Sequence, residues 1–77
     1  MEKKRAMSAI APTLDEILLE QIRQHTGRRV QDLSVKLVEG EIVLFGSARS
    51  FHVKQLATHG ARQVLPLAPL RNAIEVK

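Results

Sequence analysis

Apolar residues recur at helical spacing near the start of the chain. The first such set is Leu14, Ile17, Leu18 and Ile22. Residues three and four positions apart share one face of a helix, so this set predicts an amphipathic helix. Thr13 with Glu16 has the spacing of a capping box, and Gly27 is a natural C-cap. These start and stop signals predict a first helix over about residues 14 to 26.

A period of two follows the first helix. The segment DLSVKLVEGEIVLFG alternates as a half-buried strand requires. Glu39 and Gly40 fit a two-residue hairpin turn, with Gly40 supplying the positive φ that such a turn demands. The turn fixes the register of the two strands, because a slip of one residue would exchange the two faces. One face then carries Val35, Leu37, Ile42 and Leu44 as cross-strand neighbours.

The opposite face of this hairpin is half apolar. It carries Val38, Val43 and Phe45 with Ser34, Lys36 and Glu41. Scattered surface hydrophobic residues are ordinary in soluble proteins, and the N-terminal arm is another possible cover for this face. The functional alternative is a docking surface for a partner, a second copy or a membrane. The exposed apolar docking candidates are Val43, Phe45 and, off the core stripe of the first helix, Leu19.

A second helix is predicted after the N-cap Ser50. Its apolar stripe comprises Val53, Leu56, Ala57, Gly60, Ala61 and Val64. Small residues on this stripe, Gly60 among them, indicate that the helix packs closely against the sheet. The segment LPLAPL then ends the helix, because each proline pushes the preceding residue towards extended backbone. NAIEVK closes the chain as a short strand, with Ile74 and Val76 expected to face inward.

The predicted order is helix, strand, strand, helix, strand. A strand–helix–strand connection is almost always right-handed, so the third strand should lie parallel to the second. The predicted fold is a two-layer α+β sandwich, with a three-stranded mixed sheet and both helices on one face. We interpret residues 1–12 as a flexible arm and residues 13–77 as a single domain.

With this order and spacing the chain resembles a BON domain, the module named after bacterial osmotically inducible and nodulation proteins. The matching positions are Val35, Glu39-Gly40, Val43, Gly46, Lys54, Ala57, Val64, Asn72 and Val76. The chain departs from the family pattern at LPLAPL, where Pro66 replaces the usual glycine. The resemblance implies a non-enzymatic module, often periplasmic or attached to membrane proteins, that binds phospholipid surfaces and helps cells under osmotic stress. Some relatives bind a small cation or act as interaction domains.

Composition narrows the possible functions. The chain has 77 residues, no cysteine, two phenylalanines and no tyrosine or tryptophan. Thiolate chemistry is thereby excluded, and nucleic-acid binding is disfavoured because base-stacking platforms are scarce. We expect no signal peptide and no membrane span, because the early apolar run is short and no run approaches about 20 residues. The chain as written is therefore expected to be soluble and unexported.

No catalytic or metal-binding constellation is predicted. His52 and His59 are separated by about 10.5 Å of helical rise, which is too far for one zinc ion. Ser47 and Ser50 have no nearby activating pair. Gly46 is interpreted as a structural glycine, like Gly40, since a phosphate loop needs several glycines and a lysine. We therefore predict no enzyme activity, no cofactor and no metal.

Basic residues are the better functional candidates. The net charge is +4, from 12 Lys and Arg against eight Asp and Glu. The lipid- or anion-binding candidates are Arg28, Arg29, Arg49, Lys54 and Arg62, with Lys3, Lys4 and Arg5 on the arm. If several converge, each contributes about 1 kcal/mol of attraction to an anionic membrane. The predicted function is peripheral binding to anionic phospholipid, and the alternative is a protein-interaction module that docks through the outer sheet face.

Overall fold

The computed structural model describes residues 13–77; the predicted arm, residues 1–12, lies outside the described residues. Two helices pack on one face of a four-stranded mixed sheet, which confirms the predicted α+β class and element order. The elements are α1 (Leu14–Thr26), β1 (Gln31–Val38), β2 (Glu41–Ala48), α2 (Phe51–Val64), β3 (Leu70–Asn72) and β4 (Glu75–Val76).

Both helices begin at their predicted caps, α1 ends at Gly27 as predicted, and α2 ends before Pro66 as predicted. The predicted capping box is present at the start of α1, where the Thr13 amide donates to Glu16 Oε1 at 2.9 Å. Gly27 ends α1 in the left-handed region, with φ of 63°. Ser50 Oγ accepts from the Val53 amide at 3.2 Å and so caps α2. Local chemistry at the helix ends therefore decides both boundaries.

The hairpin of β1 and β2 has the predicted register. Leu37 lies opposite Ile42, and Val35 lies opposite Leu44. Both turn residues have positive φ, 52° at Glu39 and 82° at Gly40, as a type I′ turn requires. A Cβ at Gly40 would meet no atom within 4 Å, so backbone conformation alone accounts for glycine here.

The third strand was predicted over residues 72–77, but it begins earlier, at Leu70, and is interrupted. β3 and β4 both pair parallel with β2, as the right-handed crossover predicts, but Ala73 and Ile74 separate them. Asn72 bridges this break: its Nδ2 donates to Lys54 O and Thr58 Oγ1, each at 2.8 Å, and its Oδ1 accepts from the Ile74 amide. The sheet therefore has four strands where three were expected.

The core lies between the helices and the inner face of the sheet. Its largest fully buried apolar side chains are Leu18, Ile22, Ile42, Leu44 and Ile74. The expected inward position of Val76 is wrong, because its side chain is 45% exposed at the edge formed by β4. Leu37 also stays 39% exposed, since it lies on the edge strand β1 rather than on the central strand.

Gly60 packs against α1 and not, as expected, against the sheet. A Cβ added at Gly60 would lie 2.9 Å from Ile22 Cα and 3.0 Å from Gln21 O. Such distances leave no room for a methyl group, so glycine allows the two helix backbones to approach closely. The helix–helix contact, more than the helix–sheet contact, accounts for the small residue at this position.

The expected exposure of Val43 is wrong, because only 6% of this residue is accessible. Val43 lies on the central strand β2, between the long side chains of Lys36 on β1 and Arg71 on β3. Phe45 on the same face is 39% exposed, as expected, whereas Leu19 on α1 is only partly exposed. The outer sheet face is thus less apolar towards solvent than its sequence indicates.

Candidate functional site: a basic cleft

A cleft opens where β1 begins, β2 ends and α2 begins, and this region is called the cleft end below. Its volume is about 690 Å³. The lining residues are Arg28, Arg29, Gln31, Ser47, Ala48, Arg49, Ser50, Val53 and Lys77. Three separate parts of the chain contribute to it, so it depends on the tertiary fold and is referred to below as the basic cleft.

The end of α1 positions the first two arginines. After Gly27 the chain stays left-handed for a second residue, with φ of 61° at Arg28. The Arg28 amide donates to Arg23 O at 3.0 Å, which closes the helix end. Arg29 Nε donates to Thr26 O at 2.7 Å, so this side chain is held against the last turn of α1. The C-cap that ends α1 therefore also places two arginines in the lining of the cleft.

The connection from β2 to α2 supplies the next group. Ala48 is buried at the end of β2, and the exposed Arg49 follows it. Ser50 then caps α2, and the first amides of that helix, those of Phe51 and His52, have no carbonyl partner within the helix. A positive helix end and a guanidinium group therefore face the same region, and both favour an anion.

Lys77 completes the lining from the other side of β2, where β4 pairs with it. Its amide donates to Ala48 O at 2.8 Å, which continues the parallel pairing of β4 with β2. Its Nζ lies 3.9 Å from Glu75 Oε1, with both side chains largely exposed. An exposed pair of this kind contributes little stability, and it leaves the ammonium group accessible.

The lining has positive charge without a matching negative charge. The described part of the chain contributes three arginines and one lysine to it but no Asp or Glu side chain. Within residues 13–77, no carboxylate forms an ion pair with Arg28, Arg29 or Arg49. The first turn of α2 also contains no acidic residue. The arrangement therefore suits an anionic ligand, and arginine forks are well matched to phosphate oxygens.

Gly46 shapes the sheet edge that borders the cleft. One extra residue of β1 is accommodated between Gln31 and Ser34, opposite Phe45 to Ser47. A Cβ at Gly46 would lie 2.8 Å from both Gln31 O and Val30 Cγ1, and its φ is 147°. Close approach and backbone conformation both require glycine here, which supports the structural interpretation of Gly46.

Exposed apolar groups adjoin the cleft residues in the chain. Phe51, directly after Ser50, is 60% exposed on the first turn of α2. Val76, directly before Lys77, is 45% exposed. The cleft end thus combines accessible cations with an aromatic side chain at its surface. Aromatic and aliphatic groups beside cations are typical of surfaces that bind the membrane interface.

The structure brings together three of the five basic candidates and leaves two outside. Arg28, Arg29 and Arg49 line the cleft, whereas Lys54 and Arg62 do not. Arg62 lies in the last turn of α2, where its Nη1 donates to Pro66 O at 3.2 Å. Sequence reasoning missed Lys77 and Phe51. The position of Phe51 beside the Ser50 cap was a usable signal, whereas Lys77 joins the cleft only through strand pairing.

The histidines of the described region do not form a shared site. His25 Nδ1 lies 3.0 Å from Gln21 O, one helical turn earlier. Across residues 13–77, no group of three or more His, Asp or Glu side chains is placed to hold a metal ion. In the same region, neither helix has the length and apolar character needed to cross a membrane.

Comparisons of the chain with protein-family models, curated proteins and solved structures gave no match. The fold itself defines the class: a two-layer α+β sandwich with a basic cleft at one end. The BON-type resemblance stays a prediction from the spacing of residues.

Proposed function

We propose that this protein is a non-enzymatic module that binds anionic phospholipid surfaces through its cleft end. The observation that carries the proposal is the convergence of Arg28, Arg29, Arg49 and Lys77 in one cleft, to which residues 13–77 contribute no Asp or Glu side chain. Each basic group near an anionic leaflet contributes about 1 kcal/mol of attraction. Four such groups give useful peripheral affinity without a membrane-spanning anchor.

Phe51 adds an apolar contribution to this electrostatic one. Its side chain is 60% exposed, and it occupies the turn of α2 that follows the Ser50 cap. Transfer of an exposed aromatic ring from water into the headgroup and acyl boundary is favourable, and phenylalanine is typical of apolar faces that insert there. Electrostatic attraction would bring the cleft end to the lipid surface, and Phe51 would then be buried among the headgroups. A BON-type role at membranes under osmotic stress is part of the same proposal.

Vesicle co-sedimentation tests the proposal. Binding is measured with neutral phosphatidylcholine vesicles and with vesicles containing phosphatidylglycerol, each at low and high salt. We expect binding only to the anionic vesicles, and a marked loss at high salt because exposed charges are screened. Equal binding to both vesicle types, or no binding at low salt, would contradict the proposal.

The second candidate is a protein-interaction module that docks through the outer sheet face. Phe45 at 39% exposure and Val38 at 50% are the observations that favour it. The burial of Val43 between them on that face reduces the apolar area available to a partner. Size-exclusion chromatography at several concentrations, repeated with Phe45→Ser, tests self-association. A mass that rises with concentration and falls in the variant supports this candidate, whereas a constant monomer excludes self-docking.

A further inference from the structure

We infer that the basic cleft is a stoichiometric site for a phosphomonoester group, and not only a diffuse positive surface. This inference rests on the proposed function, because it assigns a ligand group to the same cleft. It commits to one chemistry, a phosphate dianion carried on an organic residue. The source of that group is either a lipid headgroup or a soluble organic phosphate, and the experiment separates the two.

The type of cation in the lining favours recognition of a phosphate group. Three of the four charged groups in the lining are guanidinium groups, Arg28, Arg29 and Arg49. A guanidinium group presents paired N–H donors that match two phosphate oxygens, whereas an ammonium group acts as a point charge. Attraction to any anionic surface requires only charge. A lining composed mainly of arginine, set within a cleft, favours recognition of a particular oxyanion.

The positive charge of the cleft favours a doubly charged phosphate group. Within residues 13–77, the three arginines of the lining have no carboxylate partner, and the positive end of α2 lies beside them. A phosphodiester brings one negative charge, whereas a phosphomonoester brings about 1.5 to 2 at neutral pH. The dianion therefore compensates more of the positive potential. It also offers three terminal oxygens, so that Arg28, Arg49 and the first amides of α2 can each bind one.

The size of the cleft suits a small organic molecule. The volume of about 690 Å³ falls within the range of about 300–1,000 Å³ that is typical of small-molecule sites. A phosphate group occupies only a small part of it. Ala48 and Val53, both buried, supply apolar lining, and Gln31 and Ser47 supply neutral polar groups. The remaining space suits the organic residue that carries the phosphate.

A pH dependence follows from the ligand itself. A phosphomonoester takes up its second proton with a pKa of about 6, so it loses charge below neutral pH. The charged side chains that line the cleft are Arg28, Arg29, Arg49 and Lys77, and His52 lies exposed on the first turn of α2. Binding should therefore be weaker at pH 5 than at pH 7.5, because the ligand is protonated and less charged at pH 5.

The test is an amide-resolved NMR titration with glycerol 3-phosphate, with dimethyl phosphate as the diester control. We expect saturable shifts at Gln31, Ser47, Arg49 and Ser50, and monoester affinity at least about tenfold above that of the diester. The variant Arg28→Gln/Arg49→Gln should lose about tenfold or more. The matched control Lys36→Gln/Arg71→Gln removes the same charge from the outer sheet face and should keep the affinity. Unchanged far-UV circular dichroism in both variants establishes that they fold.

Vesicle binding distinguishes a lipid source of the phosphate group from a soluble one. It also separates failure of the phosphate site from failure of the proposed function. Vesicles with phosphatidic acid present a monoester, whereas those with phosphatidylglycerol present a diester. Stronger binding to phosphatidic acid at matched surface charge supports a lipid source for the site. Saturable glycerol 3-phosphate binding without vesicle binding supports the site but contradicts the proposed function. Equal affinity for monoester and diester, or scattered unsaturable shifts, overturns the inference even if anionic vesicles bind.

Discussion

The two ends of the molecule differ in what they expose. The cleft end gathers three arginines and Lys77 around the start of α2, with Phe51 beside them. The opposite end, called the hairpin end, contains the Glu39-Gly40 turn, the start of α1 and the link after α2. Its exposed apolar side chains are Leu14, Ile17, Leu37, Val38 and Leu67. A single small sandwich therefore has a cationic end and an aliphatic end.

This difference has a physical origin in the connections. At the cleft end a helix C-cap, a strand end and a helix N-cap meet, so exposed polar residues converge there. At the hairpin end the helices cover Ile42 and Leu44 on the central strand but leave Leu37 on the edge strand part exposed. Exposed aliphatic residues are common on protein surfaces and need no function. Three convergent arginines without an ion-pair partner among residues 13–77 are the less ordinary feature, and they point to the cleft end as the functional one.

The largest expected effect separates the two ends through their glycines. Gly46→Ala should destabilise the fold by about 3 kcal/mol, because the new Cβ overlaps Gln31 O and the backbone has positive φ. Gly40→Ala should cost only about 1 kcal/mol, because its φ is positive but its surroundings are open. Urea denaturation measures both. Equal losses would contradict the close approach assigned to Gly46.

The next effect concerns the cations. Arg28→Gln/Arg49→Gln should weaken binding to phosphatidylglycerol vesicles by about 2 kcal/mol, or about thirtyfold, since two basic contacts are lost. Co-sedimentation across a lipid titration measures the change. The outer-face control Lys36→Gln/Arg71→Gln has the same net charge and should bind nearly as well as the wild type. Equal losses in the two variants would mean that net charge, and not the cleft, governs binding.

A smaller effect concerns the apolar residues of the two ends. Phe51→Ser should weaken anionic-vesicle binding by about 1 kcal/mol, or about fivefold, because an interfacial aromatic contact is removed. Leu67→Ser is the matched control at the hairpin end, where Leu67 is 95% exposed. That variant should bind like the wild type, and neither variant should lose stability. Weaker binding by Leu67→Ser would indicate that the membrane contact lies at the hairpin end and would contradict its assignment to the cleft end.

The smallest effect is a pH dependence at the start of α1. The hydrogen bond donated by the Thr13 hydroxyl lowers the pKa of Asp15 from its ordinary value of 3.8. A lowered folded-state pKa contributes stability above pH 3.8, and this contribution is lost as the pH falls through the folded-state pKa. Asp15→Asn should therefore lower Tm at neutral pH, with a difference that shrinks in strong acid. A pH-independent difference would contradict this assignment.

Local signals in the sequence were enough to predict much of the fold. Thr13, Ser50 and Gly27 define helix ends through hydrogen bonds to near neighbours, and Glu39-Gly40 defines the hairpin register in the same way. The environments that the sequence analysis predicted wrongly depend on contacts between different helices and strands. Gly60 meets Ile22 across a helix pair, and Val43 is enclosed by neighbouring strands, so neither environment can be read from one element.

The residues of the candidate site also differ in whether local sequence signals identify them. Arg28, Arg29 and Arg49 were identifiable as basic residues at element ends, where short connections keep them near the sheet edge. Lys77 was not, because it reaches the cleft through the pairing of β4 with β2 after an interrupted strand. The sequence also offered Lys54 as an equal candidate. Position on α2 excludes it from the cleft, and composition alone carries no such information.

The orientation of the protein on anionic vesicles shows which end contacts the lipid. Paramagnetic relaxation enhancement is measured for each amide with spin-labelled phosphatidylglycerol vesicles. We expect the strongest broadening at Arg28, Arg49 and Phe51, with the amides of Gly40 and Leu67 little affected. Broadening centred on Gly40 and Leu67, with the cleft amides unchanged, would contradict the assignment of function to the cleft end.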